Sequence, residues 1–278
     1  MDQAQASGAK PGHPPPQSTL HEVRTAENSA AFLLPKLRSM KESNAHLKLL
    51  DVGCGSGTIS TSFAKLIPDG QVTGIDVNAN IIPRARAVAE KAGVENIEFQ
   101  QGSVFQLPFD DETFDITWCH QVLVHIANPW DALREMLRVT KRGGIVAARE
   151  GDYESECVWP ELPGLTAFHG LMAGLMIAGG GTPAAGRQLL SWALKAGAER
   201  RQIELGYSAQ SYNTPNERTI LSQGMCQQLR GGGFRDRALK FGLEVKEDFE
   251  EMAKAWEEWA QREDATLSSL HAEILVQK

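Results

Sequence analysis

An apolar run that breaks into alternate glycines constrains the fold of this chain more than any other feature. Residues 49–58 read Leu-Leu-Asp-Val-Gly-Cys-Gly-Ser-Gly-Thr. The apolar start is typical of a buried strand. Gly53, Gly55 and Gly57 let the backbone turn sharply and bring N–H groups close to a ligand, where a Cβ would intrude. The sequence therefore predicts a strand, a ligand-contacting turn and a helix, in that order.

A carboxylate closes the next predicted strand. Residues 73–77 are rich in β-branched and apolar side chains until Asp76. Asp76 is therefore expected at the C-terminal end of the strand, where it can accept hydrogen bonds from both hydroxyls of a ribose. The stretch from Gly57 to Asp76 accommodates one helix and a turn of a βαβ unit. Together, the turn and the carboxylate favour a nucleotide-type cofactor site over an ordinary strand–turn–helix joint.

The spacing of the glycines indicates which class of cofactor the turn binds. The order Gly-x-Gly-x-Gly lacks the third glycine of the dinucleotide pattern, Gly-x-Gly-x-x-Gly. A Gly-x-x-x-x-Gly-Lys-Ser/Thr phosphate loop is also absent from the sequence. The residues instead resemble motif I of the class I S-adenosylmethionine (SAM) methyltransferases, in which the glycine turn meets the methionyl part of SAM.

The resemblance continues along the chain over about residues 20 to 150. Asp76 resembles the ribose-binding acid of that family. Residues 101–104 and 107–109 are similar to the exit of strand three, which frames the adenine in that family. Residues 114–118 are similar to strand four, and residues 119–123 to the segment that follows it. Residues 133–146 are similar to the helix and fifth strand of the branch that contains the ubiquinone and menaquinone methyltransferases.

The resemblance implies SAM as the cofactor, S-adenosylhomocysteine (SAH) as the product and no metal ion. The implied cofactor-binding residues are Asp51, Gly53, Cys54, Gly55, Gly57, Thr58, Asp76, Val77, Asn78, Gly102, Ser103, Val104, Cys119 and Gln121. Many relatives have Asp at the position of Ser103, and a serine oxygen is a weaker acceptor for the adenine amino group. We therefore expect the adenine to be held mainly by the backbone around Val104 and by apolar packing.

Alternation of strand and helix patterns predicts an α/β fold, with a doubly wound, mostly parallel, seven-stranded sheet of the Rossmann-like methyltransferase type and helical cap insertions. Strands are predicted near residues 47–52, 71–76, 96–100, 114–118, 144–149, 201–207 and 271–276. Helices are predicted from Asn78 to Gly93, from Asn128 to Gly143, over about 187–196 and over 25–35, from capping residues, prolines and glycines at their ends.

Length and composition indicate one methyltransferase domain over residues 20–278, preceded by a disordered tail over residues 1–19. Two segments depart from the strand–helix rhythm, about 151–186 and 213–266, and are interpreted as a cap over the carboxyl ends of the strands. The first is rich in aromatic residues and methionine, which suits either a pocket for an organic substrate or simple helix packing. In the second, residues from Phe249 to Ala260 recur at helical spacing, and packing is favoured.

Charge and cysteine usage narrow the class of protein. The net charge of −7 disfavours DNA or RNA as a partner, because nucleic-acid binding relies on clustered Lys and Arg. The longest apolar stretch, residues 171–178, is too short to cross a bilayer. Four widely spaced cysteines, at 54, 119, 157 and 226, suit reduced thiols in a cytoplasmic protein. The sequence shows no metal site and leaves the oligomeric state open.

Methyl transfer needs a general base only when the acceptor atom starts protonated, as in a hydroxyl or a carbon acid. His120 is the first candidate, because it follows strand four at the carboxyl edge of the sheet. His169 in the first cap segment is the second catalytic candidate, and His125 is an alternative. For each of these histidines, a purely structural role as a hydrogen-bonded side chain is equally open. Asp152 and Tyr153, just after strand five, are candidates for orienting the acceptor.

These observations predict a SAM-dependent methyltransferase that acts on a small, partly apolar organic molecule by in-line methyl transfer, in small-molecule or secondary metabolism. Three alternatives stay open. The fold can host a non-methylating rearrangement of a bound substrate, a SAM-binding regulatory protein, or a protein methyltransferase that attracts basic tails.

Overall fold

A single twisted sheet organises the chain. The computed structural model describes residues 23–243 and 248–278, so the predicted tail over 1–19 lies outside the described residues. The strands are β1 (Lys48–Val52), β2 (Gln71–Asp76), β3 (Ile97–Gln101), β4 (Phe114–His120), β5 (Thr140–Trp159), β6 (Ile203–Tyr212) and β7 (Thr266–Gln277). Their order is β3-β2-β1-β4-β5-β7-β6. The first five are parallel, and β7 is antiparallel to β5 and β6, which confirms the predicted fold class.

Helices cover both faces of this sheet. They are α1 (Ala26–Ser29), α2 (Leu34–Ser43), α3 (Thr58–Leu66), α4 (Ile82–Lys91), α5 (Pro129–Val139), α6 (Pro163–Ala178), α7 (Ala185–Ala196), α8 (Pro215–Arg230), α9 (Gly233–Lys240) and α10 (Phe249–Gln261). The neighbours Leu49 and Leu50 on β1 belong to opposite hydrophobic clusters, one with α2 and α3 and the other with α5 and α7. The apolar run of β1 is continuous because both of its faces are buried.

Strand β5 is much longer than predicted. The expected bounds of 144–149 were too short, since β5 runs from Thr140 to Trp159. Its pairing with β7 resumes after an irregularity between Asp152 and Cys157 and continues to Trp159 opposite Thr266. Residues 151–159 of the first predicted cap segment are therefore strand. β6 and β7 also extend beyond their predicted bounds, and β6 pairs with β7 as far as Tyr212 and Leu267.

Two helix predictions need correction. The helix that follows Asn128 ends at Val139 instead of Gly143, because Thr140 starts β5. The buried hydroxyl of Thr140 lies 2.8 Å from that of Thr117 on β4 and donates to the carbonyl of Met136. The helix predicted over 25–35 is divided into α1 and α2. Proline stands at the start of α2, where its missing N–H has no helical partner to lose.

Helices α6, α8, α9 and α10, which we call the cap helices, form a hydrophobic cluster of their own. Phe168 of α6 packs edge-to-face against Phe234 and Trp256, with ring centroids 5.6 and 5.2 Å apart. Leu267 at the start of β7 joins this cluster, so the cap helices rest on the extended ends of β5, β6 and β7. Within the described ranges, no helix combines the length and the hydropathy that a bilayer span requires.

Candidate active site

The turn after β1 adopts the conformation that its glycines permit. Gly53, Gly55 and Gly57 have φ angles of +72°, +53° and +76°. Residues other than glycine rarely adopt this left-handed backbone conformation. The N–H groups of Gly53 and Cys54 donate to the carbonyl of Ile75, at 2.8 and 2.9 Å. This pair of bonds fixes the turn to β2, and α3 begins at Thr58.

The three glycines face different surroundings. A Cβ on Gly53 would lie 2.4 Å from Val122, and one on Gly57 would lie 2.8 Å from Phe99. A Cβ on Gly55 would meet no atom within 4 Å. Gly53 and Gly57 are therefore required by packing, whereas the space beside Gly55 is open to a ligand.

Asp76 ends β2 beside this turn. Its two carboxylate oxygens accept hydrogen bonds from the backbone N–H groups of Gly55 and Asn78, at 3.0 and 2.9 Å. A carboxylate oxygen has two lone pairs, so each oxygen keeps the capacity to accept a second hydrogen bond. Asp76 thus orders the turn and still offers the two acceptors that a ribose diol needs.

A cavity of about 350 Å³ opens on the turn, and we call it the turn cavity. Its lining includes these residues predicted from the sequence: Asp51, Gly53, Cys54, Gly55, Thr58, Asp76, Val77, Gly102, Val104, His120 and Gln121. Gly57, Asn78, Ser103 and Cys119 were also predicted but do not belong to that lining. Gly57 faces Phe99, and Cys119 is fully buried in the core. Asn78 instead caps the short helix after β2, and the Ser103 hydroxyl accepts from the N–H of Phe105 at 3.3 Å.

A second cavity of about 260 Å³ lies between the extended strands and the cap helices, and we call it the cap cavity. Much of its wall is apolar, with contributions from Phe168, Met172, Ala173, Met176, Leu221, Met225, Phe234 and Leu267. The turn cavity and the cap cavity share Arg24, His120, Gln121, His125 and Tyr153. The two cavities therefore adjoin at these five side chains, which we call the junction.

A hydrogen-bond chain crosses the junction. The Tyr153 hydroxyl donates to Oε1 of Gln121 at 3.0 Å, and Nε2 of Gln121 donates to Nδ1 of His271 at 3.1 Å. Gln121 has a φ of +58°, a strained conformation for a side chain of its size. Burial lowers the pKa of His271 to about 3, and the charges of Arg149 and Arg24 act in the same direction. His271 is therefore neutral near pH 7 and free to accept through Nδ1.

Glu150 holds the loop that follows β4. The carboxylate is fully buried and accepts from the N–H groups of Val122 and Leu123, each at 3.0 Å, and of Val124 at 3.2 Å. Burial raises the pKa of Glu150 to about 7, although these three donors favour the charged form. The loop that lines the turn cavity is thus fixed from the adjacent strand.

Asp51 forms part of the floor of the turn cavity. Its side chain is 3% exposed and accepts a short hydrogen bond from the Ser60 hydroxyl. Burial raises the pKa of Asp51 to about 7. The floor of the cavity therefore carries an acid that can change protonation near neutral pH.

The two histidines predicted as catalytic have different surroundings. Nε2 of His120 lies 3.1 Å from Nη1 of Arg149. Nε2 of His169 lies 3.2 Å from Oε2 of Glu156, without the alignment of a hydrogen bond. Burial lowers the pKa of His169 and raises that of Glu156 to about 7. Only His120 reaches the junction, and His169 lines the cap cavity.

Several lining residues were not found by sequence reasoning. Arg24, Val122 and Ile126 line the turn cavity, and Arg237 and His271 line the cap cavity. Val122 and Ile126 follow β4, and ligands of open α/β sheets bind beyond the carboxyl ends of strands, so their position was a usable signal. Arg24, Arg237 and His271 reach the cavities from distant segments, and no local pattern marks them.

Known proteins of similar sequence are methyltransferases. A methyltransferase-domain family model matches residues 43–167. An uncharacterised methyltransferase of Schizosaccharomyces pombe is 33% identical over 86% of this chain and 85% of its own length. A probable methyltransferase, ltbC, of Aspergillus luteorubrus is 31% identical over 99% of this chain and 98% of its own length.

Two more distant matches support the branch and the fold. The demethylmenaquinone methyltransferase of Bacillus cytotoxicus is 34% identical over 37% of this chain and 44% of its own length. That match confirms the predicted resemblance to the quinone branch. The crystal structure of a putative methyltransferase from Bacillus halodurans has a TM-score of 0.52 and 22% identity, over 88% of this chain and 98% of that chain. The chain belongs to the SAM-dependent methyltransferases.

Proposed function

We propose that this enzyme transfers a methyl group from SAM, bound in the turn cavity, to a small and partly apolar organic molecule bound in the cap cavity. The observation that carries the proposal is the junction, where one cavity formed by a glycine turn and Asp76 meets a second cavity with apolar walls. A donor and an acceptor placed in the two cavities face each other across five side chains. Such positioning is the main task of a protein in a bimolecular transfer.

The residues of the turn cavity fit SAM. Asp76 would accept the ribose hydroxyls, and the open space beside Gly55 would admit the methionyl part without a steric clash. Arg24 lines this cavity, and burial lowers its pKa; its guanidinium would pair with the SAM carboxylate. When bound, SAM supplies both the electrophilic methyl group and the thioether leaving group for an in-line displacement.

The protein's own contribution at the junction is to orient the acceptor and, where the acceptor atom starts protonated, to remove its proton. Tyr153 and Gln121 are locked in the chain that ends at His271. They would present a fixed polar edge to the acceptor. The cap helices and the apolar wall behind them would exclude water from the transfer.

His125 is the best-placed base for an acceptor that starts protonated. It lines both cavities, and burial lowers its pKa, with Arg237 and Arg24 acting in the same direction. A neutral imidazole at the junction can take up a proton. The roles predicted for His120 and His169 stay predictions, and Nε2 of His120 already accepts from Arg149.

Calorimetry tests the site assignment directly. Titration of SAM and SAH into the full chain is expected to show binding. Asp76→Ala is expected to weaken it about tenfold or more, because two charge-assisted hydrogen bonds are lost. Asp69→Ala, at an exposed position, is the matched control. Absence of binding to the unsubstituted chain would remove the proposal.

Turnover separates methyl transfer from the alternatives. A screen of candidate acceptors that releases SAH would exclude both a non-methylating rearrangement and a purely regulatory SAM-binding role. SAH release with basic peptides alone would instead identify a protein methyltransferase. With an acceptor that carries a hydroxyl, His125→Asn is expected to lower kcat by about 100-fold or more at unchanged SAH affinity. The values of kcat for the His120→Asn and His169→Asn variants provide the comparison.

The cytoplasmic location and the exclusion of nucleic-acid partners stay predictions from composition. The assignment of the cap helices as a cover over the substrate also stays a prediction. Each rests on the sequence pattern described above.

A further inference from the structure

Three buried nitrogens of the cap cavity have no hydrogen-bond partner. Among the described residues, five buried side-chain nitrogen or oxygen atoms are without one, and Nε1 of Trp256, Nη2 of Arg237 and Nε2 of His169 belong to residues that line this cavity. Trp256 is only 1% exposed. Leaving a buried donor unpaired costs about 1–3 kcal/mol, so the unpaired donors of Trp256 and Arg237, which line one cavity, indicate a ligand that supplies acceptors.

The charge of the same region favours an anion. Arg237 lies against the Phe234 ring, 4.9 Å from its centroid, and burial lowers the pKa of its guanidinium. Arg24 is a second cation, and both arginines lower the pKa of His125, so both charges act on one corner of the site. A buried guanidinium is stabilised when a bound carboxylate provides its counter-charge.

The carboxylates of the cavity do not provide that counter-charge. Glu154 is 3.1 Å from Arg187, a cation outside the cavity lining. Burial raises the pKa of Glu156 to about 7, and its carboxylate lies 3.2 Å from Nε2 of His169, whose own pKa is lowered by burial. The wall formed by Arg237 and Trp256 is therefore electropositive and rich in donors.

We infer that the methyl acceptor carries a carboxylate, which Arg237 Nη2 and Trp256 Nε1 bind at the cap end of the cap cavity. The inference rests on the proposed function and deepens it by naming the substrate class. Two donor atoms match the two oxygens of a carboxylate. Because Arg237 and Trp256 line the cap cavity and not the turn cavity, the carboxylate is an anchor away from the glycine turn. The apolar walls bind the carbon skeleton between this anchor and the junction.

Matched pairs of acids and amides test the inference. Benzoate, cinnamate and naphthoate would be titrated by calorimetry into the SAH-loaded enzyme, beside the corresponding primary amides, which have the same shape without the charge. At least one acid is expected to bind about tenfold more tightly than its amide. Arg237→Gln is expected to remove this preference and leave amide binding unchanged.

Two further variants complete the test. Trp256→Phe keeps an aromatic ring at this position but removes Nε1, and it should reduce the preference for the acid; thermal unfolding checks that the variant is folded. Arg235→Gln makes the same charge change on the exposed side of α9 and should leave the preference intact. The inference is overturned if no acid binds more tightly than its amide, or if the preference survives Arg237→Gln. SAH binding is measured separately on each protein, so a failure of the cofactor site would be distinguished from a failure of the carboxylate site.

Discussion

Nη1 of Arg149 lies 3.1 Å from Nε2 of His120, where β4 ends beside the middle of β5. A guanidinium has donors and no acceptor, so Nε2 of His120 is the acceptor of this hydrogen bond. The His120 ring also stacks on Trp118, with an interplanar angle of 13°. These contacts hold the imidazole in one orientation beside the junction.

We predict that the neutral His120 ring carries its proton on Nδ1. Long-range proton–nitrogen correlation spectra of the imidazoles check this tautomer directly. His46 provides an internal reference, because its Nδ1 lies 2.8 Å from the carbonyl oxygen of Asp69 and must donate to it. A His120 ring protonated on Nε2 would contradict the contact with Arg149.

Glu150→Gln is predicted to destabilise the fold by about 2–3 kcal/mol and to weaken SAH binding. The amide nitrogen of glutamine would face at least one of the three N–H groups that Glu150 now accepts. A buried donor would then be left unpaired. Val122 lines the turn cavity, so loosening of its loop should reach the cofactor. Denaturant unfolding and SAH calorimetry provide the two measurements.

Glu154→Gln is the control for that prediction. The same chemical change falls four residues along β5, at a carboxylate that is 51% exposed and paired with Arg187. A surface ion pair contributes at most about 1 kcal/mol. Equal losses of stability in the two variants would show that the loop bonds of Glu150 are unimportant.

The sequence was sufficient for those parts of the fold that local patterns specify. β1, the glycine turn and Asp76 follow from a buried apolar run, permissive glycines and one acid, all within one βαβ unit. The length of β5 was not predictable, because residues 151–159 become strand only by pairing with the start of β7, far along the chain. Long-range pairing leaves no local signal.

The same limit applied to the candidate site. Gly57 matches the motif by spacing, but its contacts are with Phe99 and Ala85, which are visible only once β3 and α4 are in place. Arg237 and His271 reach the cap cavity through the packing of α9 and the antiparallel β7. Their neighbours in the sequence carry no mark of that role.

Alanine substitutions at Gly57 and Gly55 are predicted to differ in their effects on stability and on ligand affinity. Gly57→Ala should destabilise the fold by about 2–4 kcal/mol, since its Cβ would clash with Phe99 at a positive φ. Gly55→Ala should cost about 1–2 kcal/mol from backbone strain alone, and it should weaken SAH binding more than Gly57→Ala does. Thermal unfolding and calorimetry on the two variants compare the effects. Equal effects on affinity would contradict the open space beside Gly55.

His271 is predicted to make the protein less stable in acid. Its pKa falls from 6.5 in the unfolded chain to about 3 in the folded one, so below pH 6.5 the unfolded state binds a proton that the folded state does not. The stabilisation is complete above pH 6.5 and is lost progressively as the pH falls towards 3. Between pH 6.5 and 5 this single group accounts for about 1.5 kcal/mol.

His271→Asn should remove that component of the acid sensitivity. Oδ1 of asparagine replaces Nδ1 as the acceptor for Gln121, and asparagine does not titrate. Between pH 6.5 and 5, the free energy of unfolding of this variant should therefore fall by about 1.5 kcal/mol less than that of the unsubstituted protein. Urea unfolding at each pH measures the difference, and His46→Asn, at an exposed position, is the matched control. If the His271→Asn variant lost as much stability as the unsubstituted protein, the neutral state of the buried imidazole would not be the cause.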